Sequence, residues 1–139
     1  MVQRSESDGA ESRGDKLAID ECWSLLAHAT VGRMAISVRA LPTVVPMQYV
    51  VQSRRLAICL NDRDIPSASV DNSVVAFCVD SFQDSAPSGW TVQLQGVARL
   101  QTSPVGPFEF QIPSHGRVLR LDPQVVGGRR SDLWTLSQK

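Results

Sequence analysis

From Arg33 onward the apolar residues of this 139-residue chain fall mostly on alternate positions. Met34, Ile36 and Val38 alternate with Arg33, Ala35 and Ser37; past a turn at Ala40 to Pro42, Val45, Met47, Tyr49 and Val51 alternate with Val44, Pro46, Gln48 and Val50. A period of two is that of a strand with one buried face, so the two runs predict a hairpin. Leu56, Ile58 and Leu60 predict a third strand, and Val75, Phe77 and Val79 a fourth. A long fifth strand begins at Trp90, Val92 and Leu94 and bends at Gly96 before Val97 to Leu100. Val118, Leu119 and Leu121 predict a last short strand, with Asp122 or Pro123 opening a final turn toward Gly127, Gly128, Arg129 and Arg130. Pro46 lacks a backbone donor, which places its strand at an edge or at a bulge.

Helical spacing occurs ahead of this run. Cys22, Leu25, Leu26 and Ala29 stand at i, i+3, i+4 and i+7 with Trp23 beside them, predicting a helix over Ile19 to Ala29. Pro66, at a first helical position inside the polar stretch Asn61 to Asn72, predicts one short helix. Ser81 to Ser88 reads as a loop, and Thr102 to Gly116 as irregular. Residues 1–16 hold almost nothing apolar and are expected to be a disordered tail, leaving 17–139 as one domain. No helix long enough for parallel crossovers separates the strands. The fold class is therefore mainly β: a small barrel of five or six mostly antiparallel strands with a short N-terminal helix and small flanking helices.

Charge narrows the function classes. Fourteen Lys and Arg balance fourteen Asp and Glu, so no overall basic field draws the chain to nucleic acid or an anionic membrane. From Arg117 onward the balance is local: Arg117, Arg120, Arg129, Arg130 and Lys139 face only Asp122 and Asp132, leaving room for an anion site. Cys22, Cys59 and Cys78 lack the close spacing of zinc sites or redox dithiols and read as buried free thiols in a reducing compartment. No segment approaches the roughly 18 apolar residues of a membrane span, and no secretory leader is evident. A cytoplasmic protein is expected.

Several blocks resemble a known family. Glu21, Cys22, Trp23, Leu25 and Leu26 followed by Val31, Gly32, Arg33, Met34 and Ala35 resemble the opening of the pyridoxamine 5'-phosphate oxidase-like flavin-binding proteins common in actinobacteria. Pro46 to Val51 resembles that family's PVNYVVD strand, and Val75 to Asp80 its VAFEVD strand. Ser88 to Val92 with Gln95, Gly96 and Ala98 is similar to its SGWSV and GxA blocks, and Val118 to Leu121 with Gly128 to Arg130 to its ending. The blocks are in register from Glu21 to Arg130.

The resemblance implies that the barrel is a six-stranded antiparallel split β-barrel and the protein a homodimer with FMN, or in some relatives a deazaflavin, in a groove between subunits. It also implies redox chemistry on a small substrate. It places Arg33 beside the flavin, and Met47, Gln48 and Tyr49 where backbone and side chains line the isoalloxazine. Asn61 heads the segment after the third strand, and Trp90 and Thr91 approach the groove from the partner subunit. Arg129 and Arg130 are candidate phosphate partners, with Arg54, Arg55, Ser67 and Ser69 as substitutes. One segment departs from the family: a hydroxyl residue and a Lys are usual where this chain has Leu60 and then Asp62, Arg63, Asp64 and Ile65. Two carboxylates against one guanidinium do not suit an anion.

Each candidate also has a structural reading. Arg33 could pair with a carboxylate, Tyr49 and Trp90 could bury at a core edge or dimer seam, and Gln48 could face solvent. His28 suits the end of the first helix and His115 an irregular loop, which makes a poor case for metal or haem. No Ser-His-Asp order, paired carboxylates or phosphate-binding Gly-rich loop is found. Two function classes follow: a flavin-dependent oxidoreductase, or a non-catalytic dimeric barrel whose altered site takes a deazaflavin, haem or a protein partner.

Overall fold

The computed structural model describes residues 14–83, 86–101 and 116–132. In chain order the elements are β1 (Gly14–Lys16), α1 (Ile19–His28), β2 (Val31–Val38), β3 (Leu41–Gln52), β4 (Arg55–Asn61), α2 (Ser67–Val70), β5 (Ser73–Gln83), β6 (Ala86–Leu100) and β7 (Gly116–Asp132). All sheet pairings are antiparallel, in the order β1-β7-β4-β3-β2-β5-β6. Pairing of β6 with β7 closes six of the strands into a barrel, and β1 lies outside it as one extra strand. This is the expected fold class.

Helix α1 ends one residue short of the expected Ala29, which serves as its C-cap. Asp20 and Glu21 occupy its first turn and His28 its last, charges that match the two ends of the helix dipole. His28 Nδ1 donates to the Ser24 carbonyl at 2.7 Å. The apolar stripe Cys22, Trp23 and Leu26 is buried against the barrel. Tyr49 fixes it there: its hydroxyl donates to the Leu26 carbonyl at 2.6 Å, and its ring meets Phe77 edge-on at 5.4 Å. Burial holds the Tyr49 hydroxyl protonated well above its ordinary range.

The two short hairpin turns use residues with positive φ. Arg39 and Ala40 (φ 52° and 65°) join β2 to β3, and Ser53 and Arg54 (51° and 58°) join β3 to β4. Two central residues of positive φ match the right-handed twist of the flanking strands. The first turn comes earlier than the expected Ala40 to Pro42, since Leu41 and Pro42 already pair with Val38 and Ser37. Strand β3 changes partner along its length: Leu41 to Gln48 pair with β2, and Tyr49 to Gln52 with β4. Among the described residues, β3 therefore has a neighbour on one side only at Pro46, where a missing donor is tolerated.

Four expectations are corrected. Strand β7 is one 17-residue strand rather than a short strand and a turn. Pro123 lies opposite Gly96, at the register shift between Gln95 and Gly96, so the bulge accommodates the proline that alone would read as a breaker. Ser81 to Ser88 is mostly strand, since Ser81 pairs with Trp90 and Gln83 with Ala86; ladder hydrogen bonds extend the hairpin past the end of the apolar alternation. Gly14 to Lys16 of the expected tail pair with Arg129 to Ser131; the rest of the tail, and the stretch 102–115 with His115, lie outside the described residues. Of the three cysteines, Cys22 is buried and Cys59 and Cys78 are partly exposed, because the latter two point to the outer side of their strands. Among the described residues no helix is long and apolar enough to cross a membrane.

Candidate functional site

Antiparallel register turns separate sequence positions into rows on the outer face of the barrel, because directly paired residues point the same way. One row runs Pro46, Arg33, Cys78, Gln93, Gly127 from β3 to β7. The next toward the Lys16 end holds Asp80, Thr91, Arg129 and Lys16, with Gln48 paired to Val31 farther along. On the other side the row is Val44, Ala35, Ala76, Gln95, Val125. Arg33, Gln48 and Arg129 are exposed, and Thr91 is half-buried.

A groove of about 470 Å³ opens on this face over β6 and β7. Thr91, Gln93 and Gln95 form one wall, Val125, Gly127 and Arg129 the other, and Lys16 of β1 closes one end. Its floor exists because of a glycine: a Cβ at Gly127 would meet no atom within 4 Å. At the neighbouring Gly128 a Cβ would lie 2.6 Å from the Thr91 carbonyl and 3.0 Å from Leu17, so that position must stay small for β1 and β6 to approach. A second depression of about 360 Å³ shares Gln95 and Val125 and continues the groove toward Val74 and Ala76. The polar end of the groove is cationic, since neither Lys16 nor Arg129 forms an ion pair among the described residues. Cys78 lies under the same face with Sγ 3.4 Å from Thr91 Oγ1.

The other residues expected at the site lie elsewhere. The side chains of Met47 and Tyr49 are buried in the barrel, so a ligand on the outer face would meet only their backbone. Trp90 packs against the core, because it alternates with Thr91. Arg130 alternates with Arg129 and turns to α1, where Nη2 is 3.0 Å from Glu21 Oε2. Asn61 pairs with Gly116 at the opposite end of β7 from Arg129, and its Oδ1 accepts from the Arg63 amide at 2.9 Å.

The substitute cations are also occupied. Arg54 pairs with Asp20 and lies over the Trp23 ring at 6.0 Å, and Arg55 Nε is 2.9 Å from Asp122. In the segment after β4, Asp62 accepts from the Ser67 amide at 3.1 Å and faces Arg117 at 3.5 Å. That carboxylate holds the turn into α2 and leaves no cationic cradle for a phosphate. Sequence reasoning missed Lys16, Gln93, Cys78, Val125 and Gly127 as site residues. Counting by twos from Thr91 would have reached Gln93 and Gln95; a three-residue strand such as β1 carries no periodic signal for Lys16.

A closed antiparallel barrel with one helix packed on its core and a groove on its outer face, beside two cations that form no ion pair among the described residues, defines a split-barrel protein. The model of the family described as pyridoxamine 5'-phosphate oxidase matches residues 18–105, and the chain belongs to that family. The match ends before β7, so half of the groove lies beyond it. No curated protein matches the chain. Among solved structures, an FAD binding protein from Mycobacterium smegmatis is 26% identical, with a TM-score of 0.68, covering 84% of this chain and 97% of its own. An FAD-binding protein from Mesorhizobium loti is 18% identical, with a TM-score of 0.65, covering 86% and 98%. An FAD and heme binding protein from M. smegmatis is 10% identical, with a TM-score of 0.65, covering 86% and 74%. The last two share the fold.

Proposed function

We propose that the chain binds a flavin nucleotide, FMN or FAD, in the outer groove over β6 and β7 and serves as a flavin-dependent oxidoreductase. The open floor at Gly127 between two glutamines and a cationic end carries this reading. It is supported by the family and by the FAD-binding relative of 26% identity. Gln93 and Gln95 each present a carboxamide with donors and an acceptor, the complement of a ring edge that alternates carbonyl and N–H groups. Val125 offers an apolar surface, and Lys16 and Arg129 offer charge-assisted hydrogen bonds to a phosphate. The bound flavin supplies the hydride or electron chemistry; the chain's own residues hold and orient it.

Loss of one charged hydrogen bond costs about 1.5–3 kcal/mol, so Arg129→Ala is expected to weaken FMN binding by roughly tenfold to a hundredfold. Fluorescence titration of FMN measures this. A second readout needs no turnover: bound flavin is expected to shield Cys78 from alkylation while leaving Cys59, on β4, at its unliganded rate. Burial pushes the Cys59 thiol up, so its labelling is slow but measurable. Equal FMN affinity in the variant together with unshielded Cys78 would remove the groove as the flavin site.

The second copy expected for this fold has a surface to meet. Val44 (62% exposed), Val74 (74%) and Val125 (55%) lie on the same outer face as Ala35 and Ala76, beside the groove. Large aliphatic side chains clustered on one exposed face mark an interface, and we assign this one to a homodimer that walls the groove. Sedimentation is expected to give twice the chain mass for the wild type and the chain mass for Val44→Asp/Val74→Asp, with the same circular dichroism. A wild-type monomer would refute the dimer. The reducing, cytoplasmic setting read from the cysteines belongs to this same proposal.

A further inference from the structure

Past the bulge at Gln95 and Gly96, the same outer face of β6 and β7 carries an arrangement that the fold alone does not favour. Arg99 and Arg120 are direct cross-strand partners. Like charges set opposite each other weaken a sheet. A third guanidinium stands in the adjacent row, where Arg55 Nε is 2.9 Å from Asp122 Oδ1 while Arg120 Nε is 3.2 Å from Asp122 Oδ2. Asp122 thus answers two of the three guanidiniums, and Arg99 forms no ion pair among the described residues.

The Asp122 contacts are close but poorly aligned. Arg120 Nε and Asp122 Oδ1 are enclosed from solvent and complete no hydrogen bond. These two orphans, one donor and one acceptor, leave the Arg120–Asp122 pair incompletely satisfied. The Arg120 side chain is still 39% exposed, beside an Arg99 with no ion pair among the described residues, so its outward nitrogens can meet a ligand. On its other side Arg120 pairs with Ala57, whose methyl group brings no polar group to meet it. Three planar forks around one acid, with unused donor capacity, suit an oxyanion that accepts from several guanidiniums at once.

We propose that Arg55, Arg99 and Arg120 form a second anion site, separate from the groove, that takes the phosphate groups of a nucleotide. Two sources share this chemistry: the far phosphate of a dinucleotide flavin lying along β6 and β7, or a separate nucleotide co-substrate. The site does not depend on the flavin reading, because its residues are outside the groove.

Inorganic pyrophosphate, titrated calorimetrically into the full chain at low ionic strength, tests it. Saturable binding is expected, weakened at least tenfold by Arg99→Gln and changed less than twofold by Arg39→Gln, which removes an exposed turn cation belonging to neither site. Arg99 is exposed, and relief of its repulsion with Arg120 should raise the melting temperature of the ligand-free Arg99→Gln protein, so a weaker response cannot be put down to unfolding. No saturable binding, or equal binding by wild type and Arg99→Gln, overturns the site, as does equal weakening by Arg39→Gln. Preloading with FAD or with FMN assigns the source. Competition by FAD and not FMN identifies the cofactor's far phosphate, and undiminished binding in both identifies a separate nucleotide; either result upholds the site. Should the chain bind no flavin, the pyrophosphate titration still decides.

Discussion

Gly127→Trp is expected to abolish flavin binding, raising Kd at least a hundredfold, while the protein folds as before. The argument rests on the floor of the groove. A side chain at Gly127 would leave the outer face of β7 into open space, with no atom within 4 Å of its Cβ and no left-handed backbone angle to strain it. A glycine inside a strand costs chain entropy and packs nothing, so its replacement is neutral or mildly stabilising for the fold. A ligand between Gln93 and Val125, however, would meet the indole in the volume it needs. Gly127→Ala, adding one methyl group, should give a partial loss. Thermal melts beside flavin titrations of the three proteins check this. A Trp variant that binds flavin like the wild type would mean that the ring lies elsewhere.

Gly96→Val is expected to produce the opposite pattern, with severe loss of stability. Gly96 is buried opposite the β7 bulge at Gln124, and a Cβ there would lie 2.5 Å from the Asp122 carbonyl oxygen and 3.0 Å from the Pro123 Cα. Both neighbours are backbone, so no side chain can swing aside. The β7 strand would have to move away from β6, at the seam that closes the barrel. Overpacking of a core costs about 1–3 kcal/mol or more, and a clash with backbone belongs at the upper end. A fall in melting temperature on the order of 10 °C is therefore expected for Val, and about half of that for Ala. Gly32 is constrained by side chains instead: its Cβ would press 2.3 Å from a ring carbon of the fully buried Phe77 and 3.0 Å from Val79, so Ala there is also expected to lower the melting temperature. A Gly96→Val protein melting with the wild type would show that the seam is not rigid.

These two glycines illustrate what the chain's local pattern can convey. Alternation located the barrel strands and their buried faces, since Met34, Phe77 and Leu94 lie inward as their period requires. It did not fix which distant strands pair, because register between β6 and β7 depends on closure of the whole sheet. Strand β7 was truncated in the sequence reading because Pro123, Gly127 and Gly128 look like breakers, whereas the first lies at a bulge and the others let neighbours or a ligand approach. Assigning consecutive residues to one ligand also mixed two faces. Met47 and Tyr49 turn inward while Gln48 turns out, and Trp90 turns inward while Thr91 turns out. Of the nine expected contacts, the structure gathers Arg33, Gln48, Thr91 and Arg129 on the outer face. The second half of the groove, Gln93 with Gly127 and Lys16, became legible only through pairings across β6, β7 and β1.

The central claim is that this barrel holds a flavin on the outer face of β6 and β7. The visible absorption spectrum of the purified protein, incubated in turn with FMN, FAD, a deazaflavin and haem and then desalted, tests it most directly. A retained flavin band near one per chain, absent from Gly127→Trp treated alike, is the predicted result. A colourless wild type after both FMN and FAD, or a spectrum that only haem produces, would contradict the account and turn the search to the non-catalytic reading.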